Sequence, residues 1–178
     1  MKQIILKTGE LLTIREAMKE DARCVLDCTE KASSETDFLT FAPGELQFTV
    51  EEEEQFLDNI CKLDNSIFFV AEISDIIVGT ASFMGGSRPR TAHTGEFGIS
   101  ILKEYWGRGI GSEMIRYFLK HSRNTGVIKK VNLRVRSDNI TAIHLYKKLG
   151  FVECGKLTRD FSINGTYYDS ILMEYEID

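Results

Sequence analysis

Apolar and polar residues alternate with a period of two in LLTIRE (11–16), which predicts a first strand. The period lengthens in MKEDARCVLDCTEKA (18–32), an amphipathic helix with Ala22, Val25, Leu26 and Thr29 on one side. FLTFAPGEL (38–46) keeps neither period and carries a Pro-Gly turn. EEEEQFLDNICKL (51–63) reads as a second helix, capped by Thr49 or its neighbours, with glutamates at the positive end of the helix dipole. SIFFVAEI (66–73) and IIVGTASFM (76–84) read as two strands joined through Ser74-Asp75. A polar loop, GGSRPRTAH (85–93), precedes the strand GEFGISIL (95–102), a helix over 110–124 and the strand KVNLRVR (130–136). A short helix over 139–149 stops at Gly150, a suitable C′ residue. FVECGKL (151–157) and TYYDSILMEYEI (166–177) form a closing antiparallel pair, with Asn164-Gly165 as the turn signal.

This order predicts an α/β (α+β) fold in a single domain over 1–178. About seven strands in a mixed, mostly antiparallel twisted sheet are flanked by about four helices. The strand–helix–strand unit at 95–136 is a parallel, right-handed crossover. A length of 178 residues, 43% hydrophobic and 28% charged, is ordinary for one soluble domain. No apolar run is long enough to span a membrane, and MKQIILKTGE lacks a secretory pattern, so a cytoplasmic protein without membrane partners is expected. A net charge of −5 argues against a nucleic-acid partner and suits a cationic substrate. The acidic run at 51–54 is either a lure for a polyamine or the charged first turn of a solvated helix. Of the four cysteines, Cys24 and Cys28 lie four apart and read as buried helix thiols; neither a disulfide framework nor a metal site is expected.

The stretch YWGRGIGSEM (105–114) lies between a strand and a helix, with glycines at 107, 109 and 111. A helix N-terminus offers unpaired N–H donors and partial positive charge, and glycines before it let an anion approach the backbone. The segment therefore reads as a phosphate cradle, with Arg108 as an added cation. Its G-x-G-x-G spacing fits neither the dinucleotide fingerprint nor the ATP-type P-loop. In SDNITAIHLYKKLGF (137–151), Ala142, Leu145, Tyr146 and Leu149 share one face, so Tyr146 points inward and its hydroxyl needs a partner.

Together the two stretches resemble the GNAT superfamily of acyl-CoA-dependent N-acetyltransferases. The signature [RQ]-x-x-G-x-[GA] is matched by W-G-R-G-I-G at 106–111, with Trp106 in place of Arg or Gln. The signature N-x-x-A-x-x-[LF]-Y-x-x-x-G-F is matched throughout by Asn139, Ala142, Leu145, Tyr146, Gly150 and Phe151. The Trp-Gly pair looks like the branch containing ribosomal-protein and polyamine acetyltransferases.

The resemblance implies a central parallel pair splayed to hold CoA, acetyl-CoA as cosubstrate, no metal, and direct attack by a primary amine. It places the pyrophosphate on the amides of Gly107, Arg108, Gly109, Ile110, Gly111 and Ser112, and the pantetheine arm along Ile99, Ser100 and Ile101. The N–H of Ile101 would polarise the thioester carbonyl. Asn139 would contact the CoA arm, although it also suits a simple helix cap. Tyr146 matches the general acid that protonates the leaving thiolate. Glu96 is the favoured base and His93 its competitor; Cys154 has no arrangement that would activate it. His121 and His144 read as exposed. The acceptor is a polyamine, an amino acid, a small amine or a protein N-terminus, read from segments 30–65, 85–93 and 158–166. Phe38, Phe41 and Phe48 there suit a pocket or core packing equally, and Arg88 and Arg90 read as solvated. A homodimer is a family-level expectation. The alternative function is a catalytically silent acyl-CoA sensor.

Overall fold

The computed structural model describes residues 1–178. One eight-stranded sheet contains β1 (Lys2–Ile5), β2 (Leu11–Glu16), β3 (Ser66–Ile73), β4 (Ile76–Gly85), β5 (Thr94–Ile101), β6 (Lys130–Arg136), β7 (Val152–Ile163) and β8 (Thr166–Glu176). Its order is β1-β2-β3-β4-β5-β6-β8-β7, and every neighbouring pair is antiparallel except β5 with β6. The helices are α1 (Ala22–Glu35), α2 (Val50–Ile60), α3 (Ile110–Thr125) and α4 (Ile140–Lys148). The strand count exceeds the expected seven because β1 is present. With four residues it is too short to show a period in the sequence, and it forms only by pairing with β2. Strand β7 also runs past residue 157, through a register shift against β8 between Leu157 and Phe161, where Arg159 takes a positive φ of 53°. A polar, bulged edge strand carries no clean alternation.

Apolar side chains are buried on both faces of the sheet. On one face α3 and α4 cover the larger core, in which Phe118 stacks against Phe97 at 4.7 Å and lies 5.2 Å from Phe83. On the other, α1 and α2 pack over Val70, Ile77 and Leu102. Thr49 caps α2 through a reciprocal pair with Glu52: the Glu52 N–H donates to the Thr49 hydroxyl at 3.1 Å, and the Thr49 N–H donates to the Glu52 carboxylate at 2.8 Å. The buried stripe of α1 is Ala22, Val25, Cys28 and Ala32, not one through Leu26 and Thr29, which are only half-buried. Cys28 is sealed, and burial pushes its thiol up to about 12. Cys24 is exposed, so only one of the two helix thiols is a core residue.

The parallel pairing of β5 with β6 is brief. It joins Thr94 to Lys130, Gly95 to Val131 and Glu96 to Asn132, and then ceases although both strands continue. Asn132 fastens the closed end: its side-chain amide donates to the Thr94 hydroxyl at 2.9 Å and the Gly95 carbonyl at 3.2 Å. Gly95 is obligatory for a steric reason, since a Cβ there would lie 2.1 Å from the Met84 carbonyl oxygen. Gly98, three residues on, has open space instead, its nearest neighbour being Ser82 Oγ at 3.9 Å. Gly95→Ala is therefore expected to destabilise the protein by about 1–3 kcal/mol through forced backbone displacement. Gly98→Ala should change stability by less than about 0.5 kcal/mol. Urea denaturation of the two variants checks the contrast; equal midpoints would contradict it.

Candidate active site

The site is built where β5 and β6 part. Antiparallel strands bond at alternate pairs. The β4–β5 bonds fall at even positions of β5, with the Gly86 N–H donating to the Thr94 carbonyl and the Leu102 N–H to the Val78 carbonyl, each at 2.9 Å. The backbone groups of Ile99 and Ile101 and the Phe97 carbonyl therefore turn the other way, into the gap that β6 has left, while the Phe97 N–H belongs to the last paired step with Asn132. Ser100 faces β4 with both its backbone and its hydroxyl, the latter 3.0 Å from the Thr80 hydroxyl. Of the three positions anticipated along the pantetheine arm, Ile99 and Ile101 offer backbone groups to the gap and Ser100 does not. On the same side as Ile99 and Ile101, Phe97 offers only its carbonyl, and the alternation of the strand is the signal that identifies these positions.

Trp106 fills part of this gap. Its indole N–H donates to the Ile101 carbonyl at 2.6 Å. The residue that departs from the family signature thus satisfies the last carbonyl of β5. The Ile101 N–H remains available.

The glycine loop turns from β5 into α3. Gly109 is the N-cap of α3 with φ 88°, and Gly107 has φ 76°, both in the left-handed region that favours glycine. Gly111 serves a different need: a Cβ there would lie 3.3 Å from both Ile101 Cδ1 and Leu145 Cδ2. At that point the end of β5, the start of α3 and the middle of α4 converge. The N–H groups of Gly107, Arg108, Gly109, Ile110, Gly111 and Ser112 donate to no acceptor in the chain; the first engaged donor is Glu113, onto the Gly109 carbonyl at 3.2 Å. Six consecutive free donors at a helix N-terminus form a binding surface for an anion. The Arg108 side chain does not add to it. Its guanidinium grips both Glu10 oxygens at 2.8 Å, donates to the Glu104 carbonyl at 2.8 Å and stacks over Tyr105 at 4.7 Å. What Arg108 contributes to the cradle is its backbone N–H. Glu10 lies in the hairpin turn between β1 and β2, a strand pair hidden from the sequence, so this engagement was not readable.

Helix α4 starts at Asn139, whose side-chain oxygen accepts from the Ala142 N–H at 3.2 Å. The cap reading of Asn139 is thus realised, and its amide NH₂ stays free of partners in the chain. Seven residues on, and so on nearly the same face, Tyr146 is only 8% exposed. It packs on Phe151 at 5.7 Å. Its hydroxyl has no hydrogen-bond partner in the chain, and burial pushes it up to about 12. The inward face of α4 is formed by Ile143 and Tyr146, with Ala142, Leu145 and Leu149 packed around its rim.

Glu96 sits at the last bonded pair of β5 and β6, on the opposite face from Tyr146. It is exposed and enters no ion pair. His93 is exposed beside the start of β5; its carbonyl accepts from Lys129 and Lys130 at 2.8 and 3.1 Å. Cys154 is exposed, with its thiol raised by desolvation and by Glu174, an environment that disfavours a thiolate nucleophile. His144 is exposed, whereas His121 is half-buried between α3 and β2, 3.8 Å from Glu16 and remote from the gap. The structure thus brings Gly111 of the glycine loop against Ile101 and Leu145, and packs Tyr146 in one cluster with Ile99 and Ile101, while Asn139 caps the helix that carries Tyr146 and Glu96 lies at the last paired position of β5 and β6.

Comparison with known proteins identifies the family. The model of the acetyltransferase (GNAT) family matches residues 34–151. The SPbeta prophage-derived N-acetyltransferase YokL of Bacillus subtilis is 30% identical over 166 residues, 92% of this chain and 89% of that protein. A spermidine N(1)-acetyltransferase of Vibrio cholerae is 40% identical over 74 residues, a match spanning 42% of this chain and 43% of that protein. The crystal structure of a GNAT-family acetyltransferase from Streptococcus pneumoniae superposes with a TM-score of 0.91 at 34% identity, covering 93% of this chain and 99% of that one. The divided parallel pair, the free donors of the glycine loop and the family match over the same residues lead to one conclusion: the chain belongs to the acetyltransferase (GNAT) family and is an acyltransferase.

Proposed function

We propose that the protein transfers an acetyl group from acetyl-CoA to a primary amine by direct attack within a ternary complex. The observation that carries this reading is the run of unengaged backbone donors beside the parted strands. The six N–H groups from Gly107 to Ser112 suit a pyrophosphate, and the gap-facing groups of Ile99 and Ile101 with the Phe97 carbonyl suit an extended amide-bearing arm that adds to the strand edge. No side-chain cation is needed to complete this cradle, in keeping with the engagement of Arg108 by Glu10.

In this reading the amine reaches the thioester carbon from the face that carries Glu96. Glu96, through a water molecule, takes the proton that the nitrogen must lose. The Ile101 N–H faces the carbonyl oxygen as negative charge develops there. As the carbon–sulfur bond breaks, Tyr146 gives its proton to the sulfur. A hydroxyl raised to about 12 is an acid that remains loaded throughout the neutral and mildly alkaline range. The acceptors we propose are the amines of polyamines, amino acids, small amines or protein N-termini. We further propose that residues 1–178 act as one catalytic unit in the cytoplasm, and that the unit forms a homodimer.

Tyr146→Phe is expected to lower kcat by about 10²-fold or more, with the dissociation constant for CoA unchanged within about twofold. Glu96→Gln should lower kcat similarly near neutral pH. Release of free thiol against a panel of amines, with calorimetry for CoA, measures both variants. CoA binding without thiol release on any amine would overturn the acetyltransferase reading in favour of a silent acyl-CoA sensor.

The pH profile follows from the groups involved. Tyr146 acts in its protonated form, which is present below its pKa and lost only above about 12. The alkylammonium group must lose a proton with a pKa of about 10. Activity should therefore rise with pH and show no descending limb below about pH 10, which a pH–rate series determines.

Gly109→Val tests the cradle. It forces a β-branched residue to φ 88° at the N-cap of α3. CoA should bind about tenfold or more weakly, equivalent to roughly 1.4 kcal/mol. Unchanged affinity would remove the loop from the site.

A further inference from the structure

Arg136, at the end of β6, is only 7% exposed and uses all three guanidinium nitrogens. Nε donates to Asp138 Oδ1 at 2.7 Å and Nη2 to Asp138 Oδ2 at 3.0 Å. Nη1 donates to the backbone carbonyl of Asp37 at 2.9 Å. Its planar head lies between two rings, 4.4 Å from the centroid of Phe38 and 4.3 Å from that of Tyr168. The Arg136 carbonyl in turn accepts from the Asn139 N–H at 2.9 Å.

These contacts join two parts of the molecule that bear on the same reaction. Asp138 and the Asn139 N–H belong to the turn that starts α4, the helix carrying Asn139 and Tyr146. Asp37 and Phe38 belong to the segment between α1 and α2, residues 36–49. Arg136 and Asn132 lie on one face of β6, and Asn132 is paired with Glu96, so Phe38 rests over the face from which the amine approaches. Tyr168 on β8 supports the stack from the far side.

We propose that Arg136 is an acceptor-positioning residue: it ties the strap of residues 36–49 to the start of α4, setting where the amine sits relative to the proton donor across the gap. The proposal rests on the acetyltransferase reading for its kinetic consequences and on geometry alone for the coupling itself. Charge is not sufficient for this role. A lysine retains the cation near Asp138 but has neither the fork that grips a carboxylate and a carbonyl together nor the plane that stacks between two rings. Only the arginine links Asp138, Asp37 and both rings at once.

Arg136→Lys is the test, with Phe38→Leu as a second variant that acts from the strap side and leaves the Asp138 pair intact. In steady-state assays with the amine found most active, both variants should raise the KM for the amine about tenfold while the KM for acetyl-CoA stays within about twofold. Equal increases in both KM values, or no increase in either, would overturn the proposal. The coupling is read independently of turnover by hydrogen exchange on the free protein. Arg136→Lys should speed exchange in residues 36–49 and in the first turn of α4 together, with the centre of α3 unaffected. Loosening of one segment alone would overturn the proposal even if no amine is ever acetylated. Absence of turnover by the wild-type protein, with both segments loosening together, would instead count against the acetyltransferase reading and support the coupling.

Discussion

The interruption of the β5–β6 pairing after Glu96 and Asn132 is the constraint from which the site follows. A parallel pair inside a sheet ordinarily satisfies the backbone groups of both strands along their length. Here three pairs form and the strands then part, leaving the Phe97 carbonyl and the inward groups of Ile99 and Ile101 without a strand partner. An unpaired backbone donor away from water costs about 1–3 kcal/mol, so such an opening persists only where something else engages its edges. Trp106 answers one carbonyl at 2.6 Å, and Asn132 clamps the closed end with two side-chain hydrogen bonds. The remaining donors are those we propose the cosubstrate engages.

The rest of the fold maintains that opening against collapse. Helix α3 runs from the glycine loop across the aromatic cluster of Phe69, Phe83, Phe97 and Phe118, which anchors β5 from one face. Helix α4 approaches at Gly111, where a side chain would already press on Ile101 and Leu145. Strand β6 is held apart from β5 by its seven-residue pairing with β8, which continues to Arg136 and Ser170. The gap is thus the place where two well-anchored halves fail to meet. Their separate anchoring explains how unpaired backbone can be held in a fixed geometry before any ligand arrives.

The strand–helix–strand unit, the glycine loop and α4 were legible because each has a strong local signature: a period of two followed by glycines, then an apolar stripe ending at Gly150. The same periodicity turned Tyr146 inward, and the structure buries it. Three features were not legible, each for a physical reason. Strand β1 has four residues and exists only through β2. The partner of Arg108 is Glu10, 98 positions away, and nothing local distinguishes a phosphate-facing arginine from one that grips a remote carboxylate. The role of Arg136 depends on Phe38 and Tyr168, which reach it from opposite ends of the chain. Ser100 was misplaced for a correctable reason: the alternation of hydrogen bonds along an antiparallel strand is computable once one bonded pair is known, but the first pair has to be seen.

The capture of Arg108 by Glu10 bears on how the site discriminates. An arginine free to meet a phosphate would attract many anions through long-range charge. With its guanidinium held by Glu10, recognition of the anion falls to six backbone donors in fixed positions and to the width of the gap. Backbone donors offer direction without net charge, so they select a ligand by the placement of its oxygens and by an arm able to thread between the strands. In the proposed reaction the same economy of side chains holds at the reacting end, where a phenol is protonated at neutral pH unaided and burial, without a charged neighbour, raises Tyr146 further. On the proposed reading, selectivity for the cosubstrate therefore resides in the backbone around the gap. On the same reading, selectivity for the amine falls to the opposite face, where the strap of residues 36–49 is fastened through Arg136. The first depends on the path of the main chain, and the second on side chains of a loop that Arg136 ties to the start of α4.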